Sequence, residues 1–401
     1  MPLNILGTAL IEGTDKIPYY GILKKVLPYA VTIGLVKYWS RGKSNTWERN
    51  LHSRVYIIAG ATSQGMGTSV ALDMARRGAQ LIILMRNIDE WASEWCEQLR
   101  VQTKNEMIYL EQCDLSDLYQ VRKFATTWLD NSPPRRLDGC IIMSGNMEPF
   151  GWPWSRTAMT RRSSVDGLEL QLATNYVGVF HLLHLLQPSF KAQPPDRNVR
   201  IIVTTCFLQA LGTAHPDDPL WMAEKYDKPL RFFGGSKLQL SLAMLELQRR
   251  IFNGIKKDNT DGRSGKNVSV TLVDPGLMRS TSLRRVISNG SIWLLLILYC
   301  TVLYPLLWLF TKNGFRGAQV ILHAVMTPEL EEVNRTDPEK VLYMVDCQNT
   351  SFTRKEFQDQ NLQRELYDNT VKEISELEKK IATRRNRNKK GNTTKATFKR
   401  G

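Results

Sequence analysis

The sequence predicts an α/β fold, a doubly wound parallel sheet carrying a hydrophobic membrane-anchoring segment, and three observations predict it. Between Ser53 and about Pro275, short β-branched runs alternate with helical segments, the pattern of strands joined by crossover helices. The first of these strands runs into a turn holding Gly60, Gly65 and Gly67, followed by an amphipathic helix. Farther on, Ile292 to Phe310 is an unbroken run of uncharged residues, most of them aliphatic or aromatic.

Residues 1–52 form a basic and apolar N-terminal segment. Within it Val26 to Trp39 is apolar, with Lys24, Lys25, Lys37, Arg41 and Lys43 in or around it. That stretch is too short to span a bilayer, which takes about 20 residues. It suits a helix lying in a membrane interface, or one packed on the main domain. Strands are expected at Val55 to Ala59, Gln80 to Leu84, Met107 to Gln112, Gly139 to Met143, Arg200 to Thr204 and Val268 to Val273, each followed by a turn or a helix start. At about 1.5 Å per residue, Ile292 to Phe310 just reaches across a hydrocarbon core of roughly 30 Å. Pro305 and the recurring Trp and Tyr favour a bent segment that enters and leaves one face, or lies in the interface. Residues 331–383 form an extension with a solvated helix, and the basic tail 384–401 has the composition of a disordered end.

With 401 residues, 42% of them hydrophobic, the chain is long and apolar enough to bury a core, which excludes wholesale disorder. Most of the net charge of +15 sits in the first 50 and last 18 residues, so the middle is nearly neutral. A nucleic-acid groove is therefore not expected, whereas basic ends beside apolar segments suit anionic phospholipid headgroups. The six cysteines form no CxxC pair and no Cys/His cluster, which gives no metal site and points to free thiols in a reducing compartment.

Glycines between a strand and a helix let the backbone turn sharply and approach a pyrophosphate, whose charge the helix N-terminus meets. Gly60, Ser63, Gly65, Met66 and Gly67 are the residues of that turn. The second strand ends in Met85-Arg86-Asn87, without the acid that would take a ribose 2′-hydroxyl. Arg86 suits a 2′-phosphate instead, so NADP(H) is expected over NAD(H). A surface arginine with no ligand is the plain alternative.

Further motifs follow in order: CDLSD with Asp114, LDGCIIMSGNM with Gly145, DGLELQLATNYVGVFHLLHLL with Asn175, GSKLQL with Lys237, VDPGLMRS with Pro275 and Gly276, and KNGFRGAQVILHAV. Together they resemble the short-chain dehydrogenase/reductase family over residues 53–330. Within it the chain is most similar to retinol-dehydrogenase-like members and to fungal lipid-droplet oxidoreductases, one a yeast protein linked to vacuole morphology. The resemblance implies a Rossmann domain with Asp114 beside the adenine, Asn175 and Lys237 in the active site, and the Pro275-Gly276 turn beside the nicotinamide. It also implies a lipid-droplet or endoplasmic-reticulum location with the catalytic domain facing the cytosol, and it allows a homodimer.

The chemistry departs from the family pattern. Four residues before Lys237, where the family has its proton-transferring tyrosine, stands Phe233, which has no exchangeable proton. Cys206 takes the place of the catalytic serine, with Thr205 just before it, and the NNAG segment is Ile142-Met143-Ser144-Gly145. One extra residue separates Gly60 from Gly65. Two readings compete. In one, the protein is an oxidoreductase of a lipophilic alcohol or carbonyl, of retinoid, sterol or long-chain type, with Tyr226 or a water replacing the lost hydroxyl. In the other, it is a nucleotide-binding scaffold or sensor on lipid surfaces. Phe150, Trp152, Trp154, Trp221, Phe232 and Phe233 are expected to line the substrate region or pack a lid.

Overall fold

Strands of Val, Ile, Leu and Ala that are apolar at every position need cover on both faces, and parallel pairing with helical crossovers supplies it. The computed structural model describes residues 20–61, 65–149, 161–223, 229–258, 267–288 and 291–398. β1 (Val55–Ala59) is buried at all its positions, as are β4 (Gly139–Ile142), β5 (Val199–Thr204) and β6 (Val268–Asp274). With β2 (Gln80–Met85), β3 (Ile108–Gln112), β7 (Leu342–Val345) and β8 (Gln348–Thr350) they form one sheet in the order β3-β2-β1-β4-β5-β6-β7-β8. All neighbours are parallel except the β7–β8 hairpin, which turns through Asp346 and Cys347 at φ of 52° and 59°. The expected strands are all present, and the sheet takes two more from beyond residue 330.

Before β1, α1 (Tyr20–Ser40) lies outside the sheet. The crossovers are α2 (Met66–Arg76), α3 (Glu90–Thr103), α4 (Leu118–Leu129), a broken helix of α5 (Leu170–Leu172), a π-helical turn (Ala173–Val177) and α6 (Gly178–Leu185), then α7 (Gln187–Lys191) and α8 (Pro229–Asp258). After β6 come α9 (Thr281–Ser288), a π-helical stretch (Leu294–Leu303), α10 (Tyr304–Phe310), α11 (Gly314–Met326), α12 (Glu329–Thr336) and α13 (Gln360–Phe398). Asp89 and Asp117 cap α3 and α4, accepting from Ala92 N at 2.9 Å and Tyr119 N at 3.0 Å. One core lies between the sheet and α4, α6 and α8, and the other between the sheet and α2, α3 and α11. Arg200 crosses out of β5 fully buried and donates to the carbonyls of Ala324 and Val325 at 3.1 and 2.7 Å. Burial brings its guanidinium down to about 9.

The extension beyond residue 330 does more than solvate. From α13, Tyr367 packs edge-on to Phe180 at 4.8 Å, Thr370 bonds the Tyr176 hydroxyl at 2.6 Å, and Glu378 accepts from Arg122. Leu366, Tyr367 and Ile374 thereby join the core. The helix also runs on to Phe398, through most of the stretch whose composition suggested disorder.

The membrane-anchoring segment is corrected. Among the described residues, no helix is long and apolar enough to cross a membrane. Ile292 to Phe310 is divided between a π-helical stretch and the seven-residue α10, with Pro305 in the first turn of α10, where it has no N–H to continue the ladder. α1 carries Pro28 and three lysines.

The parallel sheet and α2 meet through backbone at Gly67, where a Cβ would lie 2.2 Å from the Gly60 carbonyl oxygen. Gly67→Ala should therefore cost about 1–3 kcal/mol of unfolding free energy, read by urea denaturation, because helix and strand must separate to admit the methyl.

Candidate active site

In an open parallel sheet a ligand crevice forms at the carboxyl ends of the strands where the crossover direction reverses. Here that point lies between β1 and β4, which pair directly although β2 and β3 intervene in sequence. A cavity of about 450 Å³ opens there. A larger cleft of about 620 Å³ lies by the β7–β8 hairpin, but it is remote from the motif residues.

The cavity brings together Gly60, Gly65, Met66, Gly67, Arg86, Gly145, Thr205, Cys206, Phe233, Lys237, Pro275 and Gly276. Gly60, at φ +91°, packs so closely that a Cβ would lie 2.6 Å from Ser144 N, and Gly276, at φ +77°, donates its N–H to Asp274 at 2.8 Å. Asp114 and Asn175 stand behind the wall. Asp114 Oδ1 accepts from Ser116 N and Oγ, both at 2.9 Å, and its Oδ2 lies 3.5 Å from Nε of the largely exposed Arg86. Ser63 and Tyr226 lie outside the described residues, as do Phe150, Trp152 and Trp154.

Asn175 sits in the π-helical turn, whose extra residue shifts the helix register at that point. Its Oδ1 accepts from Asn146 N at 2.6 Å, and its Nδ2 donates to Asn146 O at 2.8 Å and to Ser236 Oγ at 3.2 Å. It thus fastens the loop after β4 to α8. Lys237 lies one turn beyond Phe233 on α8 and on the same face. Its Nζ donates to Ser144 O at 3.1 Å and Thr204 O at 3.2 Å, bridging the ends of β4 and β5. Burial pulls its ammonium below the usual lysine value, and Cys206 opposes that shift.

Thr205 is corrected as a hydroxyl donor to a substrate. Its Oγ1 donates to Gln209 at 3.0 Å and accepts from Ser241 Oγ at 3.2 Å, so it is committed inside the protein. Cys206 keeps the serine position, but burial pushes its thiol up to about 11, against the pull of Lys237. Trp221 and Phe232 are likewise corrected: both are buried, packed edge-to-face at 4.8 Å, and form core and not cavity wall. Among the described residues of that group, Phe233 lines the cavity.

Two hydroxyls that sequence reasoning missed also line it. Ser144 Oγ and Thr174 Oγ1 are buried without a hydrogen-bond partner. Their positions, in ATNYVG and in the altered NNAG segment, were the available signal. Gly314 was missed as well: a Cβ there would lie 2.3 Å from Gly65 C, so α11 closes against the glycine turn.

These residues fit a dinucleotide. The close backbone at Gly60 and Gly67 leaves room for a pyrophosphate before α2, a Cβ at Gly145 would face Lys237 Nζ at 3.7 Å, and the two unpartnered hydroxyls offer polar contacts along the same wall. A nicotinamide bound there would carry the hydride. No cluster of metal-ligating side chains occurs among the described residues.

Residues 54–213 match the model of the short chain dehydrogenase family. The chain is 65% identical to uncharacterized oxidoreductase YNL181W of Saccharomyces cerevisiae, over 98% of this chain and 96% of that protein. It is 27% identical to human retinol dehydrogenase 13, over 75% of this chain and 80% of that one. Among solved structures, an uncharacterized protein from Mycobacterium paratuberculosis superposes with a TM-score of 0.55 at 21% identity, over 82% of this chain and 97% of that one, a likeness of fold.

The raised thiol of Cys206 makes it a poor nucleophile. Iodoacetamide at pH 8 should alkylate the exposed Cys300 at least about tenfold faster than Cys206, as read by peptide mass spectrometry.

Proposed function

The chain belongs to the short-chain dehydrogenase family, a family of nicotinamide-dependent oxidoreductases, and on that premise we propose that it transfers hydride between NADP(H) and a lipophilic alcohol or carbonyl at a lipid surface. The observation that carries this reading is one cavity with Arg86 at its nucleotide end and Lys237 at the reacting end. An arginine fork binds a 2′-phosphate bidentately, and no acid competes for the ribose at the end of β2. The likeness to retinol dehydrogenase 13 supports a retinoid among the lipophilic substrates. A lipid droplet or the endoplasmic reticulum membrane, with the catalytic domain in the cytosol, suits the apolar surface of α1 and residues 292–310 and the basic N-terminal segment.

Phe233 favours a second reading, in which the nucleotide binds but does not turn over. A positioned general acid is worth roughly 10²–10⁴-fold in rate. Lys237, one turn beyond Phe233 on α8, is the ionisable group that this helix brings into the cavity beside it.

Fluorescence titration should give an NADPH dissociation constant at least about tenfold below that of NADH, and Arg86→Ala should erase the difference. Consumption of NADPH with a panel of aldehydes and ketones should be lost in Lys237→Ala. A panel with no turnover in wild type, followed by turnover in Phe233→Tyr, would establish the scaffold reading instead.

A further inference from the structure

The surface beside the cavity has an unusual composition. α1 exposes nine large apolar side chains and Ile292 to Phe310 exposes another nine, with Trp39 83% and Trp293 70% accessible. Apolar area on this scale normally marks an interaction surface. The two elements lie side by side: Lys37 Nζ donates to the carbonyls of Trp308 and Thr311, and Ser40 Oγ to Leu309 O at 2.6 Å. They make one platform.

The two segments themselves carry charge of one sign. From Tyr20 to Trp47 and from Gly276 to Pro328 the chain holds no Asp or Glu, while Lys24, Lys25, Arg41, Lys43 and Arg284 lie in them; Asp346, from the β7–β8 turn, meets Lys43 N and Lys312 Nζ at 2.9 Å. Cations around exposed Trp and Tyr match an anionic phospholipid surface, where headgroups meet the charge and the rings sit at the boundary with the acyl chains. A second copy of this chain would set the same cations against each other.

The platform is also built into the cavity wall. Leu277, Arg279 and Leu283 line the cavity. Lys312, just past α10, donates its N–H to Leu277 O at 3.0 Å and accepts from Arg279 N at 3.0 Å. The Arg279 guanidinium lies 5.7 Å from the centre of the Tyr304 ring, at the start of α10. Wall and platform are therefore one hydrogen-bonded unit, and whatever seats the platform also positions the cavity mouth.

We infer that the cavity is filled from an anionic phospholipid layer on which this platform lies flat, so that a lipophilic substrate passes along the 277–283 wall without entering water. This rests on the oxidoreductase reading for what happens inside the cavity, but the surface contact and its coupling to the wall are measurable without turnover.

The test uses the full chain with phosphatidylcholine vesicles, with and without phosphatidylserine. Flotation should require phosphatidylserine and weaken as salt rises. With NADPH, hexadecanal carried in the anionic vesicles should be reduced at least about tenfold faster than hexadecanal dispersed in detergent. The double variant Trp39→Glu/Trp293→Glu should lose flotation and that advantage while reducing propanal within about twofold of wild type. A bimane label on Leu283→Cys, in a Cys300→Ser background, should shift its emission when anionic vesicles are added. Retained flotation and vesicle advantage in the double variant, or an unchanged label on vesicle-bound protein, would overturn the inference. So would a wild-type dimer that the double variant makes monomeric, with no vesicle binding by either. Vesicle binding with a shifted label but no aldehyde reduction would support the surface contact and overturn the oxidoreductase reading.

Discussion

The site depends on a backbone contact. Gly60 follows β1 directly: its carbonyl touches the start of α2 at Gly67, and its Cα faces the Ser144 amide just past β4. No side chain fits in either place. Because these surfaces meet without side chains, α2 begins directly behind the strand and its N-terminus lies at the crevice between β1 and β4. From the other side Gly314 packs against Gly65, so α11 holds the turn in place. Arg86 and the 275–276 turn reach one cavity because they follow strands of this sheet, and Lys237, whose ammonium is bonded to the chain just past β4 and to the end of β5, reaches it from α8.

The reacting end follows the same logic with different chemistry. Lys237 and Asn175 are held by main-chain atoms, namely the carbonyls of Ser144, Thr204 and Asn146 and the amide of Asn146. Neither needs a tyrosine neighbour to keep its place. Phe233 could therefore replace a hydroxyl-bearing ring without disturbing the frame, because an apolar ring leaves no polar group to satisfy. On the reading proposed above, what changes is the supply of protons within the cavity, and with it the balance between binding and turnover.

The fold was legible because its signals are periodic or punctual: buried strands read as apolar runs, and Gly60, Gly65 and Gly67 mark the turn. Arg86 was legible as the residue just past a strand end, and Lys237 and the Pro275-Gly276 turn through the motifs GSKLQL and VDPGLMRS that carry the family resemblance. The direction of a hydroxyl is not written in a motif. Thr205 and Cys206 are adjacent in sequence, and only the packing of Gln209 and Ser241 decides that the threonine turns inward. For the run from Ile292 to Phe310 the bend at Pro305 was legible, but its uniform hydropathy suggested a membrane anchor, and no described helix is long and apolar enough to cross a membrane. Pro305 and a π-helical winding divide a stretch that is uniform in hydropathy. β7, β8 and the packing of α13 were missed because their strands are short and the helix hides its few apolar residues among charges.

The last helix has a consequence for how the chain is made. Leu366, Tyr367 and Ile374 complete a core begun by Phe124, Phe180 and Leu238, so that core stays open to solvent during synthesis until residues 366–374 leave the ribosome. The nascent chain can pair its strands early, but it cannot close over α6 and α8. Synthesis through Ile374 is thus a precondition for closing that core, and a chain that stops before Leu366 would be a product for quality control.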